Sequence, residues 1–198
     1  MKRLLVLIVI LLAAFSVYWY LLRTKKGPKQ DTTEKPILQK KHSEAFNKSI
    51  DAAVAGYLAI KDAFVKGDTA TAKAKTAAFI QSLDSIDMKE LEKDSGAIIQ
   101  TAQASLMDIK SNAASLLNQS DIKEMRRDFG MVTEMMYPAF FKAINYEGAT
   151  LYLFNCATAF GESESANWLS KDTALVNPYL DKSMPACGEL KDSVLATK

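Results

Sequence analysis

The sequence predicts a mainly α protein, an antiparallel four-helix bundle with a mostly irregular C-terminal tail that holds at most a short strand. Three observations carry that expectation. Apolar residues recur at spacings of three and four from Phe46 to Ile144, helix-ending and helix-starting residues fall between the stripes, and the pattern stops after Gly148. A helix burying one apolar stripe must be covered by neighbours, and short turns between four such helices imply antiparallel packing.

The stripes run in order. Phe46, Ile50, Ala53, Tyr57, Ile60 and Phe64 form the first, and Gly67 closes it as a helix C-terminus. Asp68 is a natural N-cap for the second, along Ala70, Ala74, Ala77, Ile80, Leu83 and Ile86. The third takes Met88, Leu91, Ser95, Ile98, Ala102, Ser105, Ile109, Ala113 and Leu116 and ends at Asn118-Gln119-Ser120. The fourth opens with Asp121 and Glu124 in capping-box spacing and continues through Ile122, Met125, Phe129, Val132, Met136, Phe140 and Ile144, with Pro138 expected to kink or end it. Leu151 to Phe154 reads as a strand or a buried extended segment, and the rest of the tail as loop.

Ahead of this domain (residues 41–198) stand two other segments. Leu4 to Leu22 holds 18 apolar residues and one polar one, Ser16. As a helix it is about 28 Å long, enough to span a bilayer. Tyr18-Trp19-Tyr20 followed by Arg23, Lys25 and Lys26 suits a membrane interface, so residues 1–23 read as a retained anchor, with a cleaved signal peptide as the alternative. Residues 24–40, with Pro28 and Pro36, read as a polar linker. Either reading of the leader sends the body out of the cytoplasm, into the periplasmic side of a cell envelope.

The charge balance narrows the partners. No Asp or Glu precedes Asp31, and residues 31–198 carry 19 Lys and Arg against 23 Asp and Glu. The basic pI near 8.4 therefore belongs to the membrane flank. No basic face is left for nucleic acid. Paired carboxylates, phosphate-binding glycine loops, nucleophile elbows and His-containing triads are missing from the sequence, so no enzyme is expected.

Chemistry concentrates in the tail, where both cysteines lie. In an exported domain Cys156 and Cys187 suggest a disulfide. The same two sulfurs with Met184 also make a soft donor set that selects Cu(I) or Ag(I), whereas zinc would need four N or S ligands. Spacing leaves both readings open. Met125, Met131, Met135 and Met136 read as core or gap filling, His42 as solvated, and Trp168 and Tyr179 as side chains packing the tail onto the helices.

The strings Tyr152-Leu153-Phe154-Asn155-Cys156, Asn167-Trp168-Leu169-Ser170, Asn177-Pro178-Tyr179 and Met184 to Cys187-Gly188 resemble the bacterial family called domain of unknown function 3347. Tyr57-Leu58-Ala59-Ile60-Lys61-Asp62-Ala63 is similar to its helical part. Members of that family stand alone behind an export signal or are joined to periplasmic adaptors of copper/silver efflux pumps. The resemblance implies that Cys156, Met184 and Cys187 hold the family's sulfur positions and bind Cu(I), with efflux adaptors as partners. One position departs: where the family reads Cys-Pro-Met-Ala, this chain has Cys156-Ala157-Thr158-Ala159, which puts a hydroxyl in place of a thioether.

Overall fold

The computed structural model describes Phe15, residues 41–180 and residues 187–194. Met1–Ile37 and Leu38–Lys198 are two separate units. The anchor apart from Phe15, the linker and Met184 lie outside the described residues. Among the described residues no helix is long and apolar enough to cross a membrane.

The fold is mainly α, with a small sheet at its C-terminal end. Helix α1 spans Glu44–Lys66. The Ser43 side chain caps its start by accepting from the Phe46 N–H, and Gly67 ends it at φ 71°, a left-handed conformation that costs glycine little. The expected stripe is its buried face, with Phe46, Ile50, Ala53, Tyr57, Ile60 and Phe64 all buried.

Helix α2 (Thr69–Asp84) starts at Asp68 as expected, the carboxylate accepting from the Thr71 N–H. Its buried face agrees with the expected one at Leu83, with Ile80 partly buried and Ile86 buried just past the helix, and departs from it earlier in the helix. Ala72, Thr76, Phe79 and Leu83 turn inward, whereas Ala70, Ala74 and Ala77 are exposed. Alanines define a face weakly because each buries little area. The bulk of Phe79 decides it, docking against Gly56 of α1, where an added Cβ would lie 3.2 Å from the ring.

The third stripe is split. Met88–Lys93 forms a short 3₁₀ turn that buries Leu91, and helix α3 begins only at Gly96 and runs to Asn118. Ser95, expected as a core position, is exposed and caps α3 by accepting from the Ile98 N–H. Serine competes for backbone groups and so prefers such ends to helix interiors. Helix α4 (Ile122–Glu134) is capped by Asp121, which accepts from the Lys123 and Glu124 N–H groups. Pro138 interrupts the helix as expected. Across Met135–Phe140 the chain is irregular, with Tyr137 extended at φ −133°, ψ 131° and a cis Tyr137–Pro138 peptide. A proline disfavours the α region for the residue before it. A final turn, α5 (Phe141–Ala143), follows.

The tail carries more order than expected. Strands β1 (Leu151–Cys156), β2 (Ala166–Ser170) and β3 (Glu189–Val194) make an antiparallel sheet in the order β2-β1-β3. Cys156 pairs with Ala166 and Phe154 with Trp168. On the other edge Leu153 faces Asp192 and Phe154 faces Leu190, so Lys191 is the extra residue of a bulge. Helices and sheet share one apolar core, in which Phe129 of α4 stacks on Tyr57 and touches Phe64 and Tyr179.

Candidate functional site

The two cysteines are brought together by the sheet. Cys156 ends β1 and Cys187 stands two residues before β3, the strand paired beside it. Their sulfurs are bonded in a disulfide, with Cα atoms 5.5 Å apart. Cys156 is fully buried and Cys187 half-buried.

The tail motifs hold this link in place. Asn177 donates from Nδ2 to the Cys187 carbonyl at 2.7 Å, while its Oδ1 accepts from the Tyr179 N–H at 2.7 Å. One amide thus ties the Asn-Pro-Tyr segment to the second cysteine. Trp168 stacks on Phe154 with ring centroids 5.4 Å apart and meets Tyr179 edge-on at 6.0 Å. Gly188 lies directly on that indole, since a Cβ there would come within 2.6 Å of both Trp168 and Leu175. The Tyr179 hydroxyl donates to the Asn167 carbonyl, and burial pushes its pKa well above the ordinary phenol value. Arg126 of α4 is buried and donates to the carbonyls of Phe64 in α1, at 3.0 Å, and Leu180 in the tail, at 3.4 Å. Tyr179 therefore packs the tail onto the helices, as expected, with its ring against Phe129 of α4, while the ring contacts of Trp168 are with Phe154 and Tyr179. Arg126 adds a polar tie that its place in the charged run Arg126-Arg127-Asp128 does not reveal.

For a soft metal the relevant atoms are these sulfurs and Thr158. The Thr158 hydroxyl lies 3.9 Å from Cys156 Sγ and 3.6 Å from Cys187 Sγ, so the position that departs from the family pattern touches both. In the disulfide neither sulfur is a thiolate, the form that binds metal, and this oxidised donor set does not fit Cu(I). Met184 lies outside the described residues. Among the described residues no cluster of three or more His, Cys, Asp or Glu is arranged to hold a metal. The four methionines expected on the fourth helix divide: Met125 and Met136 are core, Met135 is partly buried and Met131 exposed. His42 is engaged as well. Its Nε2–H donates to the Ile144 carbonyl at 2.5 Å and its ring packs on Phe46, which fastens the start of α1 to the end of α5.

The fold and the site define a mainly α domain with a disulfide-braced sheet. Residues 53–146 match the model of a family described as a protein of unknown function (DUF3347), which places that helical stretch in the family the motifs suggested. The tail strings from Tyr152 to Gly188 lie beyond the matched residues. No curated protein and no solved structure matches the chain significantly.

Proposed function

We propose that this chain is a non-enzymatic, extracytoplasmic interaction module, anchored through Leu4–Leu22, in which a disulfide-braced sheet and a helical body present a rigid face to a partner. The observation that carries this reading is the Cys156–Cys187 disulfide, because such bonds form and persist in oxidising compartments. The helices are read as an antiparallel four-helix bundle. Support comes from the ring contacts of Phe129 with Tyr57 and Phe64, which join α4 to α1. Family members joined to periplasmic efflux adaptors suggest an adaptor as the partner.

A second reading has its own observation. Thr158 touches both sulfurs at the position where the family carries Met, so reduction would create two thiolates beside a hydroxyl, with Met184 as the candidate third sulfur. Cu(I) bound there would be held by Cys156, Cys187 and Met184, with affinity rising with pH as the thiols deprotonate.

One titration separates the two. Oxidised protein, phosphine-reduced protein freed of reductant and Cys156→Ser are each titrated with Cu(I) against a competing chelator. The interaction-module reading expects no difference among the three and weak binding throughout. Tight binding by the reduced wild type alone would establish the metal reading instead.

A further inference from the structure

A solvent-open groove of about 390 Å³ lies between α1 and the turn that follows β2. Its apolar wall is Ala55, Leu58 and Ala59, spaced i, i+3 and i+4 along one face of α1. Its charged lining residues are Lys61 and Asp62 from α1 and Lys171 and Asp172 from the turn.

Lys61 is the unusual member. It is only 8% exposed, and lysines are almost never buried to that extent unless paired. It pairs with Asp62, 3.2 Å away, a neighbour in sequence whose side chain is 61% exposed. Adjacent residues on a helix do not face one another, and an ammonium carries three donors, so this contact leaves donor capacity at the groove. Asp172 is oriented by the Ala174 N–H, which donates to its Oδ1 at 3.0 Å. The four charges cancel. A ligand of one sign would therefore meet a like charge as well as an opposite one, whereas a ligand carrying both signs can pair with each.

We propose that this groove binds a small aliphatic zwitterion, with its carboxylate on Lys61 and Lys171, its ammonium toward Asp172, and its hydrocarbon chain on Ala55, Leu58 and Ala59. Neither the disulfide nor the partner-binding reading bears on this site.

Calorimetric titration of the full-length chain with L-leucine tests it, alongside 4-methylpentanoate, which lacks the ammonium, and 3-methylbutylamine, which lacks the carboxylate. Leucine is expected to bind saturably, and each truncated probe to bind about tenfold more weakly or worse. Lys61→Met keeps the aliphatic stem and removes the charge, and it should weaken leucine binding by about tenfold or more. Asp172→Asn, at an exposed position, should weaken leucine and improve 4-methylpentanoate, and it carries the test if Lys61→Met does not fold. The proposal is overturned by the absence of saturable heat up to about 50 mM leucine, by 4-methylpentanoate binding the wild type as well as leucine does, or by unchanged leucine affinity in folded variants.

Discussion

Leu169 of β2 donates its backbone N–H to the hydroxyl oxygen of Tyr57 on α1, at 3.0 Å, inside the apolar core. The same hydroxyl lies 2.7 Å from Thr133 Oγ1. Thr133 in turn donates to the Phe129 carbonyl at 3.2 Å, so the Tyr57 proton must point to Thr133. The result is a directed relay from sheet to α1 to α4, and burial keeps the phenol protonated far into alkali. Tyr57→Phe fills the same space and leaves the Leu169 N–H buried without a partner. A loss of about 1–3 kcal/mol in urea unfolding is expected. A change below a few tenths would show that the relay does not fasten the sheet.

Gly188 is the second fastening point. It sits at φ 155°, and a Cβ added there would lie 2.6 Å from both Trp168 and Leu175, so alanine must displace the indole or the strand. Gly188→Ala should cost about 1–3 kcal/mol, the range for overpacking a filled core. Near-ultraviolet circular dichroism should change with it, since Trp168 is fully buried. Gly96→Ala, where open space surrounds the added carbon, is the control that should leave stability nearly unchanged.

Stability should fall at both ends of the pH scale. The Tyr137 hydroxyl hydrogen-bonded to Asp192, the Lys93 ammonium on Glu90 and the Thr71 N–H on Asp68 each hold a carboxyl below its ordinary range. A folded pKa below the unfolded one gives stability that is present above about pH 4 and lost as pH falls through the folded values. Asp68 and Asp192 face solvent and Glu90 is only partly covered, so the acid limb should be shallow. At the other end, burial and the nearby Asp51 raise Tyr146 to about 12, and the hydrogen bond to Asp192 raises Tyr137 to about 12. A raised folded pKa gives stability that is full below the unfolded value, about pH 10, and lost as pH rises toward 12. Melting temperature against pH checks both limbs, and Tyr146→Phe should flatten the alkaline one.

Reduction should loosen one strand before the others. The disulfide spans 31 residues, for which the chain-entropy account gives about 3.5 kcal/mol. β3 is an edge strand with four exposed residues, and it relies on that link more than β2 does, since β2 is held by Tyr57 and by Trp168. Hydrogen exchange after reduction should show β3 amides losing protection first. Equal loss in β2 and β3 would contradict this ordering.

The helices are legible in the sequence because large side chains at helical spacing and specific capping residues carry the signal, as at Phe46, Tyr57 and Phe64 or at Gly67, Asp68 and Asp121. In alanine-rich α2 the expected stripe misses at Ala70, Ala74 and Ala77, because the pattern is nearly featureless until Phe79 meets Gly56, and holds at Leu83. Two of the three strands are hidden for opposite reasons. Trp168, Leu169 and Ser170 are consecutively buried, and Glu189 to Asp192 consecutively exposed, so neither strand shows the alternation by which a half-buried strand is recognised. At the site, sequence locates both cysteines but leaves their pairing open, since partnership depends on β1 and β3 lying side by side. The Asn177 clamp and the Tyr57 relay join residues apart in the chain, and no local pattern announces such contacts.

The most direct test of the account is a thiol count on the full-length chain, purified without reductant and unfolded in the presence of an alkylating or chromogenic thiol reagent. A structural Cys156–Cys187 disulfide predicts no reactive thiol before reduction and both after it. Two free thiols in freshly purified protein would contradict the disulfide-braced module.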